Sequence, residues 1–150
     1  MMPPHLDLEK LPESNANQVV FRLKGKLSLE TVHDFIQTVR PNPAERLVLD
    51  LSGVSFLDSA GAGALVQVFV HRRNLGQSFA LTGLTKQSSA VLQVAGLTKL
   101  LPIYGSNEEA LAGQEMIARG WGSASFAVNM VLVPRSDGTA SILPHYERKA

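Results

Sequence analysis

The chain has no cysteine among its 150 residues, which excludes a disulfide framework, thiol catalysis and thiolate metal sites and agrees with a reducing compartment. It also has little net charge. Fourteen Lys and Arg stand against 13 Asp and Glu, leaving +1 with His neutral, so the clustered cations that track a phosphate backbone are missing and nucleic acid is not an expected partner. Long hydrophobic runs are absent as well. The greasiest stretches are cut by Gln67, His71 and Asn129, short of the roughly 18 apolar residues that span a bilayer, and no membrane insertion is expected. Met1 to Asp7 shows no basic region followed by an apolar run, so it does not read as a secretory leader, and a cytoplasmic location is expected. The four histidines, His5, His33, His71 and His145, are dispersed without a His-x-x-x-His pair, and no metal is expected. No cofactor is expected either: Gly61-x-Gly63 is followed by Val66 where a dinucleotide loop has its third glycine, and no Gly-Lys-Ser/Thr phosphate loop occurs.

What is present is enough apolar material, 45% of residues, for one buried core. Val19 to Lys24 is β-branched and aromatic, then alternating, and predicts a strand ended by Gly25. Ser28 is placed to cap a helix to Val39, with Pro41 and Pro43 blocking its continuation. Arg46 to Leu51 is apolar through its middle, the pattern of a strand covered on both faces. A helix over Ser59 to Leu75 ends with Arg72 and Arg73, cations that suit the negative end of the dipole, before Gly76. Phe79 to Leu81 reads as a strand, Thr85 to Ala95 as a capped helix, Leu100 to Tyr104 as a further strand, and Ser106 onward as a fourth helix.

This order predicts an α/β fold: a four- to five-stranded, mostly parallel sheet with four helices, joined by right-handed crossovers. Residues 18–113 form the expected domain. Residues 1–17 read as an arm or edge strand, and 114–150 as a C-terminal extension in which Phe126 to Val133 and Ala140 to Leu143 flank an Asp137-Gly138 turn as a β-hairpin.

One segment stands apart. In Val54-Ser55-Phe56-Leu57-Asp58-Ser59-Ala60-Gly61-Ala62-Gly63-Ala64 a strand has just ended and a helix begins with almost no side chains on its first turn. Ser59 falls at or beside the N-cap, next to unpaired backbone N–H groups. A phosphate there brings about −1.5 to −2 charges to the positive helix end, which the dipole favours by roughly 0.3–1 kcal/mol. An interface laid over the bare turn loses about 2–5 kcal/mol when a charge is buried in it unpaired. Asp58 adds like-charge repulsion. From the residues alone the segment reads equally as a capped helix packed closely on a sheet, or as a phospho-switchable contact made by Asp58, Ser59, Ala60, Gly61, Ala62 and Gly63.

The run Leu47-Val48-Leu49-Asp50-Leu51-Ser52-Gly53-Val54-Ser55-Phe56-Leu57-Asp58-Ser59-Ala60-Gly61 resembles the STAS domains of bacterial anti-sigma factor antagonists, with their Asp-Ser-small-Gly signature after a central strand. Val91 to Tyr104, with Gly96-Leu97 at its centre, is similar to that family's helix, turn and final strand. The likeness covers roughly Val19 to Ala112. It implies a non-enzymatic regulator of transcription by partner switching. An anti-sigma factor that is also a serine kinase binds the chain while Ser59 is unmodified, frees its sigma factor, and is released once Ser59 is phosphorylated; ATP and Mg²⁺ belong to the partner.

By the same resemblance Lys26 and Ser28 join the contact surface, although many antagonists carry acidic residues just after the glycine matching Gly25, so Lys26 reverses a charge facing the partner. Ala62 replaces a larger aliphatic residue. A homodimer is compatible with the family, and so is a role as a non-switching scaffold subunit of a transport or stress-signalling complex. A hydrolase is disfavoured, because a nucleophile elbow needs glycine where Leu57 stands and His71 lies roughly 18 Å of helical rise from Ser59.

Overall fold

The computed structural model describes residues 5–118, 130–134 and 140–144. Four strands, β1 (Leu6–Lys10), β2 (Gln18–Leu27), β3 (Arg46–Leu57) and β4 (Ser78–Thr82), form one sheet in that spatial order. The pairs β2–β3 and β3–β4 are parallel, while β1 runs antiparallel along the outer edge of β2. The N-terminal residues thus supply an edge strand of the sheet itself.

Alternation along the strands sorts side chains onto two faces. Val19, Phe21, Leu23, Leu47, Leu49, Leu51, Phe79 and Leu81 point to one face and are buried beneath α1 (Val32–Val39), α2 (Ser59–Asn74) and α3 (Lys86–Val94). Phe35 and Val39 of α1, Leu65, Val68 and Phe69 of α2, and Leu92 of α3 complete this main core. On the opposite face Val20, Val48 and Ala80 form a smaller cluster with Leu11, Tyr104 and Ala110, the last from α4 (Asn107–Ala118). Burial on both faces explains the almost uninterrupted apolar centre of β3.

Three local expectations are corrected. Gly25 does not end β2: it takes φ +114° at a register irregularity, and a Cβ there would run into the His5 carbonyl, whose oxygen accepts from Lys26 N–H at 2.9 Å. Glycine is needed because β1 crosses β2 closely at this point. The first helix then begins at Val32 with Thr31 as its N-cap, and Ser28 closes the preceding turn by accepting backbone bonds from Thr31 and Val32. Leu100 to Tyr104 yields only a bridge between Ile103 and Leu81, with Pro102 O accepting from Leu81 N–H and Tyr104 N–H donating back to Leu81 O. Pro102 has no N–H to donate, and the pairing does not extend into a fifth strand.

The expected hairpin is present as β5 (Met130–Pro134) and β6 (Ala140–Pro144), paired antiparallel. The start of its predicted first strand, Phe126 to Asn129, and the Asp137-Gly138 turn lie outside the described residues.

Candidate functional site

β3 runs on six residues past the end predicted from its apolar pattern and delivers Leu57 to the rim of the sheet. There the chain turns directly into α2. Asp58, extended at φ −108° and ψ −176°, is the N-cap, and its Oδ1 accepts from Gly61 N–H at 2.8 Å. Ser59 is therefore not the cap; it is the first helical residue, with an exposed side chain whose hydroxyl bonds to no described residue. The capping explanation for a serine at this position is thereby removed.

Asp58 does a second job. Its Oδ2 accepts from Leu29 N–H at 3.0 Å, which ties the turn between β2 and α1 to the start of α2. That turn holds Leu29, 70% exposed, beside the exposed Lys26. Ser28, expected on the contact surface, is instead only 3% exposed, and its hydroxyl donates to Glu30 at 2.8 Å. This hydrogen bond, from Ser28, is the main reason the Glu30 carboxyl is held below its ordinary value. Ser28 shapes the turn from within, and its exposed neighbours Leu29 and Lys26 present the surface.

The two glycines of the bare turn differ. Gly61 is buried, and a Cβ on it would collide with the Leu27 carbonyl and with Leu57 Cδ1, so its smallness lets the helix settle on the strand ends. Gly63 is exposed with nothing within 4 Å of where a Cβ would go. Beside it a groove of about 590 Å³ runs between α2 and α3, with Ala62, Gly63 and Val66 on one wall and Ala90 and Val94 on the other. Ser59 stands at the edge of this groove as its hydroxyl-bearing residue, and Val94 is 90% exposed. Ala60 is half-buried and Ala62 buried, so the surface near Ser59 is formed by backbone and methyl groups.

Gln87, which sequence reasoning did not single out, fixes the geometry between the two helices. Its side-chain amide accepts from Leu57 N–H at 2.8 Å and donates to Leu57 C=O at 2.7 Å. The β3–β4 ladder has already stopped at Asp50 and Thr82, so this side chain pairs with β3 as a neighbouring strand would. It joins the first turn of α3 to the residue two places before Ser59. A glutamine inside a helix-starting segment carries no sequence signal for a partner 30 positions earlier.

His71 lies at the far end of α2, and no group of three or more His, Cys, Asp or Glu gathers to hold a metal among the described residues. No described helix is long and apolar enough to cross a membrane. What the site offers is an accessible hydroxyl at a helix start, flanked by a carboxylate, an apolar groove and an exposed leucine.

The family profile described as "Mlab, STAS domain" matches residues 11–102. An anti-sigma F factor antagonist of Paenibacillus polymyxa is 25% identical over 118 residues, covering 75% of this chain and all of the relative. Among solved structures, an anti-sigma factor antagonist from Mycobacterium paratuberculosis superposes with a TM-score of 0.67 at 21% identity, covering 76% of this chain and 97% of that one. The anti-sigma factor antagonist SpoIIAA in its unphosphorylated form gives a TM-score of 0.59 at 19% identity, with 76% and 97% covered.

Proposed function

Because this chain belongs to the STAS domain family, we propose that it is an anti-sigma factor antagonist that binds an anti-sigma factor with serine kinase activity while Ser59 is unphosphorylated and lets it go once Ser59 carries phosphate. The observation that carries this reading is Ser59 itself, exposed at the first position of α2 while Asp58 takes over the cap. A hydroxyl freed from structural duty at a helix start can be modified without loss of the fold. The curated relative from P. polymyxa bears the name of this function over three quarters of the chain.

The contact surface is built from Asp58, Ser59, Ala60 and Gly63, with Lys26 at the end of β2, Leu29 of the adjoining turn and the groove lined by Ala62 and Val94; Gly61 supports it from below. A partner seated here desolvates Ser59 together with an apolar groove. Phosphorylation then places about two negative charges at the groove's edge beside Asp58, and the interface pays about 2–5 kcal/mol for burying them unpaired. That corresponds to a loss of thirtyfold or more in affinity. The chain needs only to present the serine, since phosphoryl transfer is the partner's chemistry.

The test is recovery of the complex from the native host with two tagged variants. Ser59→Ala should retain a stoichiometric partner carrying an anti-sigma factor kinase domain, and Ser59→Glu should lose it. Equal recovery of the same partner with both variants would replace the switch by a scaffold role in a larger assembly.

A further inference from the structure

At the other end of α2 lies a second concavity, of about 510 Å³, lined by His33, Ile36, Gln37, Arg40, Pro41 and His71. His33, Ile36 and Gln37 of α1 and its C-cap Arg40, which keeps helical backbone angles, follow the i, i+3, i+4, i+7 spacing that puts side chains on one helix face. That face meets His71 of the last turn of α2. No carboxylate lines the cavity. Arg40, His33 and His71 have no ion pair or side-chain hydrogen bond with any described residue, whereas Arg22 is bound to Asp50 and Lys24 to Glu9.

The cavity is backed by an uncompensated charge. Arg72, next to His71, is 0% exposed, and its guanidinium donates to Ser78 O at 2.8 Å, Asn42 O at 3.2 Å and Ala44 O at 2.5 Å. Asn42 follows Pro41 of the cavity wall and Arg72 follows His71, so this buried cation is joined to residues next to the wall on both chain segments. All three acceptors are neutral carbonyls; they satisfy its N–H groups and leave its formal charge in place. Burial pushes the Arg72 guanidinium down to about 10, still cationic at neutral pH. An arginine, two imidazoles that each keep an N–H in either protonation state, and a glutamine amide therefore converge on a space with a positive background. Ile36 and Pro41 add an apolar wall.

We propose that this α1–α2 pocket binds a small phosphate monoester, its dianionic phosphoryl group held by Arg40, His33 and His71 and its organic portion resting on Ile36 and Pro41. A planar guanidinium matches phosphate oxygens in bidentate fashion, and the imidazoles supply further donors from a second helix. The site is separate from the Ser59 surface: His71 lies twelve positions beyond Ser59 along α2, about three helical turns.

The experiment is an NMR titration of the full isotope-labelled chain with inorganic phosphate and with phenyl phosphate, each compared with sodium chloride at equal ionic strength. The expected result is saturable shifts centred on His33, Arg40 and His71, with phenyl phosphate binding more tightly than inorganic phosphate. Arg40→Gln should weaken both ligands by about fivefold or more, and Arg73→Gln, an exposed change outside the cavity, should leave both unchanged. Shifts that follow ionic strength alone, that spread over the surface, that survive Arg40→Gln, or that show no gain for the phenyl ester would overturn the proposal. The Arg40→Gln spectrum in the absence of ligand reports whether that variant is folded. Should it not be, His33→Gln together with His71→Gln serves as the alternative variant, with the same weakening expected.

Discussion

Gly61 and Gly63 stand two residues apart on the first turns of α2, and a methyl group added to each meets different surroundings. At Gly61 it strikes the Leu27 backbone carbonyl and the Leu57 side chain, and the carbonyl can yield only if the end of β2 moves. Gly61→Ala is expected to lower stability by about 1–3 kcal/mol. At Gly63 it meets open space, so Gly63→Ala should raise stability by about 0.5–1 kcal/mol, the usual gain of alanine over glycine inside a helix. Urea denaturation of the two variants checks both signs; equal effects would mean that the turn does not pack as described. Arg72 offers a second test at this scale. Arg72→Met leaves the carbonyls of Asn42, Ala44 and Ser78 without their donor inside the protein and should cost about 2–4 kcal/mol in the same measurement. Arg72→Lys should recover only part of that, because an ammonium cannot reproduce three bonds in one plane. In the sequence this residue reads as a dipole-complementing cation at a helix end. Its position in the last turn was legible, but the loop carbonyls that it binds come from 28 and 30 residues earlier, and no local pattern announces such an acceptor.

Two elements are fastened to the sheet by polar side chains, and the first of these fastenings bears on function. Gln87 binds α3 to the end of β3 and so sets one wall of the groove beside Ser59. Asp50 fastens α4 on the opposite face. Its carboxylate accepts from Ser52 N–H at 2.9 Å, from Asn107 Nδ2 at 3.0 Å and from Arg22 Nε at 3.2 Å, while Thr82 donates to Asn107 Oδ1. Burial alone would raise the Asp50 value; the hydrogen bonds from Ser52, Asn107 and Arg22 together outweigh it, and the carboxyl is held below its ordinary 3.8. A folded value below the unfolded one means that the charged form stabilises the fold. This contribution is fully present above the unfolded value and is lost as pH falls below about 3.8 through the depressed folded value. Stability measured from pH 6 to pH 2 should therefore fall less steeply in Asp50→Asn than in the parent chain at the acid end. Parallel curves for the two proteins would show that Asp50 does not carry this linkage. At the element scale the periodic segments were the legible ones, because helix and strand repeats are written locally. The terminus of β2, the start of α1 and the reduction of Leu100 to Tyr104 to one bridge depend on β1 crossing at Gly25 and on what β4 can pair, which are long-range facts.

Across the whole molecule, the sheet order, the helices on its larger face and the chain turn from β3 into α2 all serve to bring one small-residue helix start to the surface next to an apolar groove. The motif around Ser59 was readable from sequence, since strand, cap and glycines fall in immediate succession. The groove was not, because its walls come from Ala62 to Val66 and Ala90 to Val94, stretches whose small and apolar residues look in sequence like ordinary core-facing positions. The structure also separates roles that sequence merges: Asp58 caps, Gly61 allows close packing, Ser28 shapes a buried turn, and Ser59 and Gly63 remain available at the surface. The most direct test of the switch is intact-mass and peptide mass spectrometry of the protein isolated from its own host across growth conditions, with Ser59→Ala as the control. The account predicts a single added phosphate mapped to Ser59, present in a condition-dependent fraction of molecules and absent from the control; a Ser59 peptide that is unmodified under every condition would contradict it.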